Sequence, residues 1–189
     1  MQPMHIDRKE ILRFVATAGL LVALFLYAKF AAHQRVIALL PPELQVKQIL
    51  YEKESDDLGW GPGSNESGIF VFALPENISK EIQSQGYGFF VAMRKAKNPA
   101  STYVGWYGTP IDPAPYWSVP QDGSASKLRD RKPSIEMYLN RGVRIDIPLE
   151  IQQLVNSSLA TQGNYFALPR RGLIIVIPHL NRVVYAYAS

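Results

Sequence analysis

The stretch from Gly172 to Ala188 reads GLIIVIPHLNRVVYAYA. Gly172 to Ile177 is a continuous apolar strand. Arg182 to Ala188 alternates valine and tyrosine with small or basic residues, and Pro178-His179-Leu180-Asn181 between them supplies turn chemistry. Two extended runs joined this closely form a hairpin, because parallel strands need a crossover of a dozen or more residues. The sheet is therefore expected to be antiparallel, with its last strand tying down the chain.

Upstream segments fit the same sheet. Ile69 to Leu74 reads as a strand bounded by Gly68 and Pro75, and Val46 to Glu54, mixing β-branched and charged residues, is read as a strand over the alternative of a short helix. Pro75 opens a helix in which Ile78 and Ile82 share a face and Gly86 supplies the stop, after which Phe89 to Met93 is expected to be extended. Val143 to Ile147 reads as a further strand, Pro148 opens a helix carrying Ile151, Leu154, Val155 and Leu159, and Gly163 ends it. The echo between Gln85-Gly86-Tyr87-Gly88-Phe89 and Gln162-Gly163-Asn164-Tyr165-Phe166 suggests a pseudo-repeat over residues 69–93 and 143–167, against the alternative of coincident punctuation. The expected fold class is α+β: one domain over residues 43–189, with a mainly antiparallel sheet covered on one face by two helices.

The N-terminal region has another character. Phe14 to Ala28, FVATAGLLVALFLYA, carries no charge, and extension to residues 11–32 adds only Arg13 and Lys29. Such a helix reaches roughly 30 Å, a hydrocarbon thickness. Arg13 and Lys29 stand near its ends, where long aliphatic stems reach the headgroups. A cleaved signal peptide competes, with release near Ala32, but no tripeptide there offers small residues at both required positions. The reading is an uncleaved signal anchor: a short cytoplasmic tail over residues 1–10, a transmembrane helix over 11–32 meeting the lipid bilayer, and a juxtamembrane helix over 33–42 stopped by Pro41-Pro42. Arg8, Lys9 and Arg13 lie on one side of the uncharged centre, and Lys29, Arg35 and Lys47 on the other. The chain has no cysteine, which removes disulfides, thiol catalysis and Cys-ligated zinc and suits an envelope compartment. The bulk of the chain is accordingly placed outside the cytoplasm, at the inner membrane.

Motifs for chemistry are weak. The loop GWGPGSNESG, Gly59 to Gly68, lacks the lysine of a phosphate-binding loop and leads into a strand, so no helix N-terminus faces an anion. The acidic residues around it, Glu52, Glu54, Asp56, Asp57 and Glu66, repel phosphate and lack EF-hand spacing for calcium. Ser124-Ala125-Ser126-Lys127 matches a serine–lysine pattern without its companion motifs. His5, His33 and His179 give no ligand spacing. No cofactor or metal is implied.

Two surface features suggest a partner. Lys127, Arg129, Arg131 and Lys132 form the densest basic run, in a second half that is basic where residues 43–81 hold eight acidic against three basic side chains. Trp106, Tyr116 and Trp117 sit in an aromatic, proline-rich stretch, Tyr103 to Pro120, and Trp60 sits among glycines. For both, a solvated loop or packing over the sheet is the competing reading. The functional expectation is a non-enzymatic binding or accessory module of the cell envelope, either a subunit of an envelope complex or a toxin-neutralising immunity-type protein. The alternative is a cell-wall hydrolase using Asp or Glu acid–base chemistry, for which Glu66 and Asp112 have no local signature. A mild net charge of +4 gives no case for nucleic acid.

Overall fold

The computed structural model describes residues 8–55, 66–95, 105–112, 133–140, 142–168 and 172–188. The chain divides into two compact units, Met1–Leu39 and Leu40–Ser189.

The first unit is a single helix, α1, Arg8–Ile37. Its window Thr17–Ile37 has a mean hydropathy of 1.4 and none of it is buried, so the helix is long and apolar enough to cross a membrane. Leu20, Leu21, Phe25, Leu26 and Phe30 all lie exposed on it.

The second unit is α+β. A 3-10 turn, Pro42–Leu44, precedes the strands β1, Ile49–Glu54, and β2, Ser67–Ala73. Helices α2, Glu76–Gln85, and α3, Tyr87–Lys95, follow, then the short β3, Trp106–Gly108. Next come α4, Ile135–Leu139, α5, Leu149–Ala160, and β4, Tyr165–Ala167. The chain closes with β5, Leu173–Ile177, a 3-10 turn at Pro178–Leu180, and β6, Arg182–Ala188. The six strands form one sheet in the order β1-β2-β6-β5-β4-β3, with every pairing antiparallel. The C-terminal hairpin, β5 with β6, lies at its middle.

Both faces of this sheet are covered, where two helices on one face were expected. All five residues of β5 are buried, and so are the first six of β2. On one face Ile69, Val71, Leu173, Ile175, Ile177, Val184 and Ala186 pack with Val155 and Leu159 of α5 and Ile135, Tyr138 and Leu139 of α4. On the other, α3 lays Phe90 against Trp106 and Tyr165, at centroid separations of 4.5 and 4.6 Å. A strand that is aliphatic on both sides excludes water only when both sides are packed.

Two expected strands take other forms. Residues 89–93 belong to α3: Phe89, Phe90 and Met93 are buried at the i, i+1, i+4 spacing of a helix. Gly86, at φ 57, ends α2 and lets the chain start a second helix at once. Residues 143–147 stay extended and keep the period-2 alternation, with Ile147 buried and Arg144 and Asp146 exposed, but pair with no strand among the described residues. Their Ile145 and Ile147 join the cluster under α4 and α5. The two similar segments thus share proline-opened helices and positive-φ glycines, Gly86 and Gly163, but not the flanking strands.

One close approach shapes the aromatic face. Gly68 of β2 stands opposite Tyr187 of β6 and Glu54 of β1. A Cβ on Gly68 would lie 2.4 Å from Tyr187 Cε1. Because that atom is missing, the ring crosses over β2 and its hydroxyl donates to Glu54 Oε1 at 2.5 Å. Gly68→Ala is expected to lower stability by about 1–3 kcal/mol, since the ring must lift off the strand. Tyr187→Phe keeps the ring and loses only the hydrogen bond, at about 1 kcal/mol. Thermal unfolding of the two variants in detergent checks the order; an equal or larger loss for Tyr187→Phe would contradict the packing account.

Candidate functional site

Of the residues singled out for a partner, Trp106 lies among the described residues. Trp106 is 5% exposed, packed on Phe90, and so serves the core in place of a surface; β3 aims it to the face that α3 covers. Trp60, Tyr116, Trp117, Lys127, Arg129, Arg131 and Lys132 lie outside the described residues, as do the Ser124–Lys127 pattern and most of the glycine-rich loop. Glu66 and Asp112 are exposed, His33 lies on α1 and His179 is exposed in the turn before β6. No group of three His, Cys, Asp or Glu side chains suited to a metal ion occurs among the described residues.

Among the described residues two clefts lie elsewhere, along the extended residues 143–147. One cleft of about 250 Å³ is lined by Glu136, Asn140, Arg144, Asp146 and Gln152, with Leu139, Ile145 and Ile147 at its apolar base. A second, of about 450 Å³, shares Arg144, Ile145 and Asp146 and opens toward Lys53, Glu54 and Ser55 of β1. Alternation places Arg144 and Asp146 outward from this shared wall, where they form a loose pair at 3.7 Å with both side chains largely in solvent.

Packing of α4 against α5 builds the wall of the first cleft. Ser134 caps α4, its Oγ accepting from the Met137 amide at 3.2 Å. Asn156 of α5 accepts from the Ile135 amide at 2.8 Å and donates from Nδ2 to Glu136 Oε2 at 3.0 Å and Oε1 at 3.3 Å. Gln152 Nε2 donates to the Ile147 carbonyl at 2.9 Å, holding the extended segment against α5. The Glu136 carboxylate is thereby held in one place.

Its protonation follows from the same contacts. Partial burial pushes the Glu136 pKa up, but hydrogen bonds from Asn156, from its own backbone and from Ser134 outweigh this and lower it below the ordinary 4.5. A carboxyl held ionised is unsuited to act as a general acid, which needs its proton near neutral pH. At the far edge, burial and the neighbouring Glu54 carboxylate push the Tyr187 phenol well above its ordinary value, so it remains a neutral donor. What the clefts present is a mixed-charge, hydrogen-bonding surface over an apolar floor.

A buried polar knot lies at the C-terminal end of α5. Asn164 Nδ2 donates to the carbonyls of Ser158 and Thr161, while the Thr109 amide donates to the Asn164 carbonyl at 3.0 Å. Asn164 Oδ1 is buried with no hydrogen bond among the described residues. These contacts join β3 and β4 to the helix layer and face no cleft described above.

Sequence reasoning missed Glu136, Asn156 and Gln152 because no motif links them; Glu136 and Asn156 are twenty residues apart and meet only through helix packing. Arg144 and Asp146 had a faint signal in their alternation with Val143, Ile145 and Ile147. No protein-family model, curated protein or solved structure matches this chain.

Asn156→Ala is expected to lower stability by about 1–3 kcal/mol, because it leaves the Ile135 amide unpaired. Glu136 titrates lower in the folded chain than in the unfolded one. Its contribution is therefore complete above pH 4.5 and is lost as pH falls through the depressed folded value. Without Asn156 the folded value moves back up toward the ordinary one, so the stability lost below pH 4.5 becomes smaller. Denaturant titrations at a series of pH values across the carboxylate range measure this; coincident acid limbs for the two proteins would contradict it.

Proposed function

We propose that this chain is a single-pass, membrane-anchored protein of the cell envelope whose second unit, residues 40–189, lies outside the cytoplasm and binds another envelope protein without catalysing a reaction. The exposed apolar surface of α1 carries this reading. Residues such as Leu20, Phe25 and Phe30, each about 60% exposed in the isolated chain, demand an apolar surrounding. A bilayer supplies it along the whole of Thr17–Ile37.

Anchoring confines the second unit to the membrane surface and raises its effective concentration toward other envelope components, so a modest interface suffices. The clefts beside residues 143–147 support the binding role. Arg144, Asp146 and Gln152 offer donors and acceptors at a rim, and Ile145 and Ile147 offer an apolar floor. Such an arrangement of polar rim and apolar base is common to protein contact surfaces. The same reading covers an envelope-complex subunit and an immunity-type inhibitor, which differ in the partner and not in the device.

The expected outcome is that alkaline carbonate leaves the intact chain in the membrane fraction, and that deletion of residues 8–37 releases it. A photo-crosslinker placed in cells at Arg144, Trp60 or Trp117 is expected to give a discrete adduct with one envelope protein. Release of the full chain by carbonate defeats the anchor. Adducts that never rise above those of an exposed control position, Gln153, defeat the binding role. Clearing of peptidoglycan in a zymogram, abolished by one Asp or Glu substitution, would replace it with hydrolysis.

A further inference from the structure

The first cleft carries a charge that its own walls leave unanswered. Glu136 is half-buried where α4 meets α5, and both of its carboxylate oxygens accept from Asn156 Nδ2. Hydrogen bonds hold it ionised. No lysine or arginine contributes to that ionisation, and among the described residues none bridges the carboxylate. Arg144, which lines the same cleft, is engaged instead with Asp146 at 3.7 Å, and those two side chains are 84% and 94% exposed. Gln152 is fixed by the bond from its Nε2 to the Ile147 carbonyl, while among the described residues nothing donates to its Oε1. The cleft therefore combines one immobile negative charge and one fixed neutral acceptor with an apolar base of Leu139, Ile145 and Ile147.

We infer that this cleft seats a basic side chain, an arginine in preference to a lysine, presented by the envelope protein that the second unit binds. The inference rests on the binding role proposed above and gives it a chemistry. Charge is the first argument. An incoming cation gains a charge-assisted hydrogen bond to a carboxylate whose position is already fixed, so little ordering entropy is lost at Glu136. A carboxylate from the partner would instead meet Glu136 at close range, with the Arg144 charge offset by Asp146. Arg144 is held only by that loose, exposed pair and is free to swing away from a second cation. Size is the second argument. A volume of about 250 Å³ falls below the roughly 300–1,000 Å³ of ordinary small-molecule and cofactor sites, which leaves room for one side chain. The apolar base suits its aliphatic stem, since long basic side chains cover apolar surface with their methylenes. Donor number separates the two cations. Acceptors come from two residues, Glu136 and Gln152, and a guanidinium brings five donors in a fixed plane where an ammonium brings a compact, strongly hydrated point charge. The guanidinium is the more weakly hydrated, so it loses less on entering a half-buried site, and arginine is enriched among the residues that dominate protein contacts.

The probe is acetyl-arginine amide, with acetyl-citrulline amide as an uncharged counterpart of nearly the same shape. Each is titrated into the full-length, isotope-labelled chain in detergent micelles while the side-chain amide signals of Gln152 and Asn156 are followed by NMR. The expected result is a saturable shift with the arginine probe and an affinity about tenfold weaker for the citrulline probe. Glu136→Gln, which keeps an oxygen for Asn156 Nδ2, is expected to weaken the arginine probe to a similar extent. Asn140→Asp adds a carboxylate at an exposed rim position and is expected to tighten that probe several-fold, a gain that misfolding cannot mimic. Equal affinities for the two probes, or a Glu136→Gln chain that binds the arginine probe as tightly as its parent, overturn the inference. In cells, Glu136→Gln is expected to cut the adduct from a photo-crosslinker at Arg144 several-fold. An adduct of undiminished yield overturns the inference and leaves the binding role standing. Arginine-amide binding without an adduct at Arg144, Trp60 or Trp117 overturns both and assigns the cleft to a free small cation.

Discussion

Five consecutive aliphatic side chains, Leu173 to Ile177, lie buried in the strand between β4 and β6. Leu173, Ile175 and Ile177 point to one face and Ile174 and Val176 to the other, so neither face of the sheet tolerates water. Each such side chain left wet would forfeit about 1.5–3 kcal/mol. This accounts for the division of the helices. Helices α4 and α5 close one face with Val155, Leu159 and Tyr138, while the other holds the aromatic layer of Phe70, Phe72 and Tyr185 and the α3 side chains over Trp106 and Tyr165.

The periphery depends on smaller adjustments to that core. Strand β1 reaches the centre only through β2, and the missing Cβ of Gly68 lets Tyr187 bind Glu54 across the intervening strand. On the helical face, Ser67 Oγ donates to the Leu139 carbonyl, fastening the end of α4 to the start of β2. The chain leaving α4 must then pass over the β1 side without joining the sheet. The clefts lie along residues 143–147, which pair with no strand among the described residues, and Gln152 of α5 and Glu136 of α4, the latter held by Asn156, give the first cleft polar walls.

The functional proposal and the core make separate demands. The core explains why residues 40–189 fold; it says nothing of why α1 carries an apolar surface without burying it. The proposed anchor answers that demand by placing this surface in a bilayer. Glu136, held ionised, is not poised to donate a proton near neutral pH, because its hydrogen bonds stabilise the charged form against the pull of burial.

Local chemistry made much of this legible. The apolar run before Lys29, the proline-opened helices at Pro75 and Pro148, the antiparallel class and the C-terminal hairpin all rest on residues adjacent in sequence, whose periods and turn types act within a few residues. Residues 89–93 were ambiguous because a short apolar run fits strand or helix equally well; burial at Phe89, Phe90 and Met93 selected the helix. Alternation in 143–147 correctly marked an extended chain but could not say whether a ladder partner was free to receive it. Trp106 carried the signature of a sticky surface, and only its pairing with Ala167 showed which face it occupies. The cleft was invisible for the same reason. Glu136, Asn156 and Gln152 acquire their roles from the docking of α4 on α5, a contact between elements far apart in the chain, whereas the sequence alone determined the elements that spacing and turn chemistry govern locally.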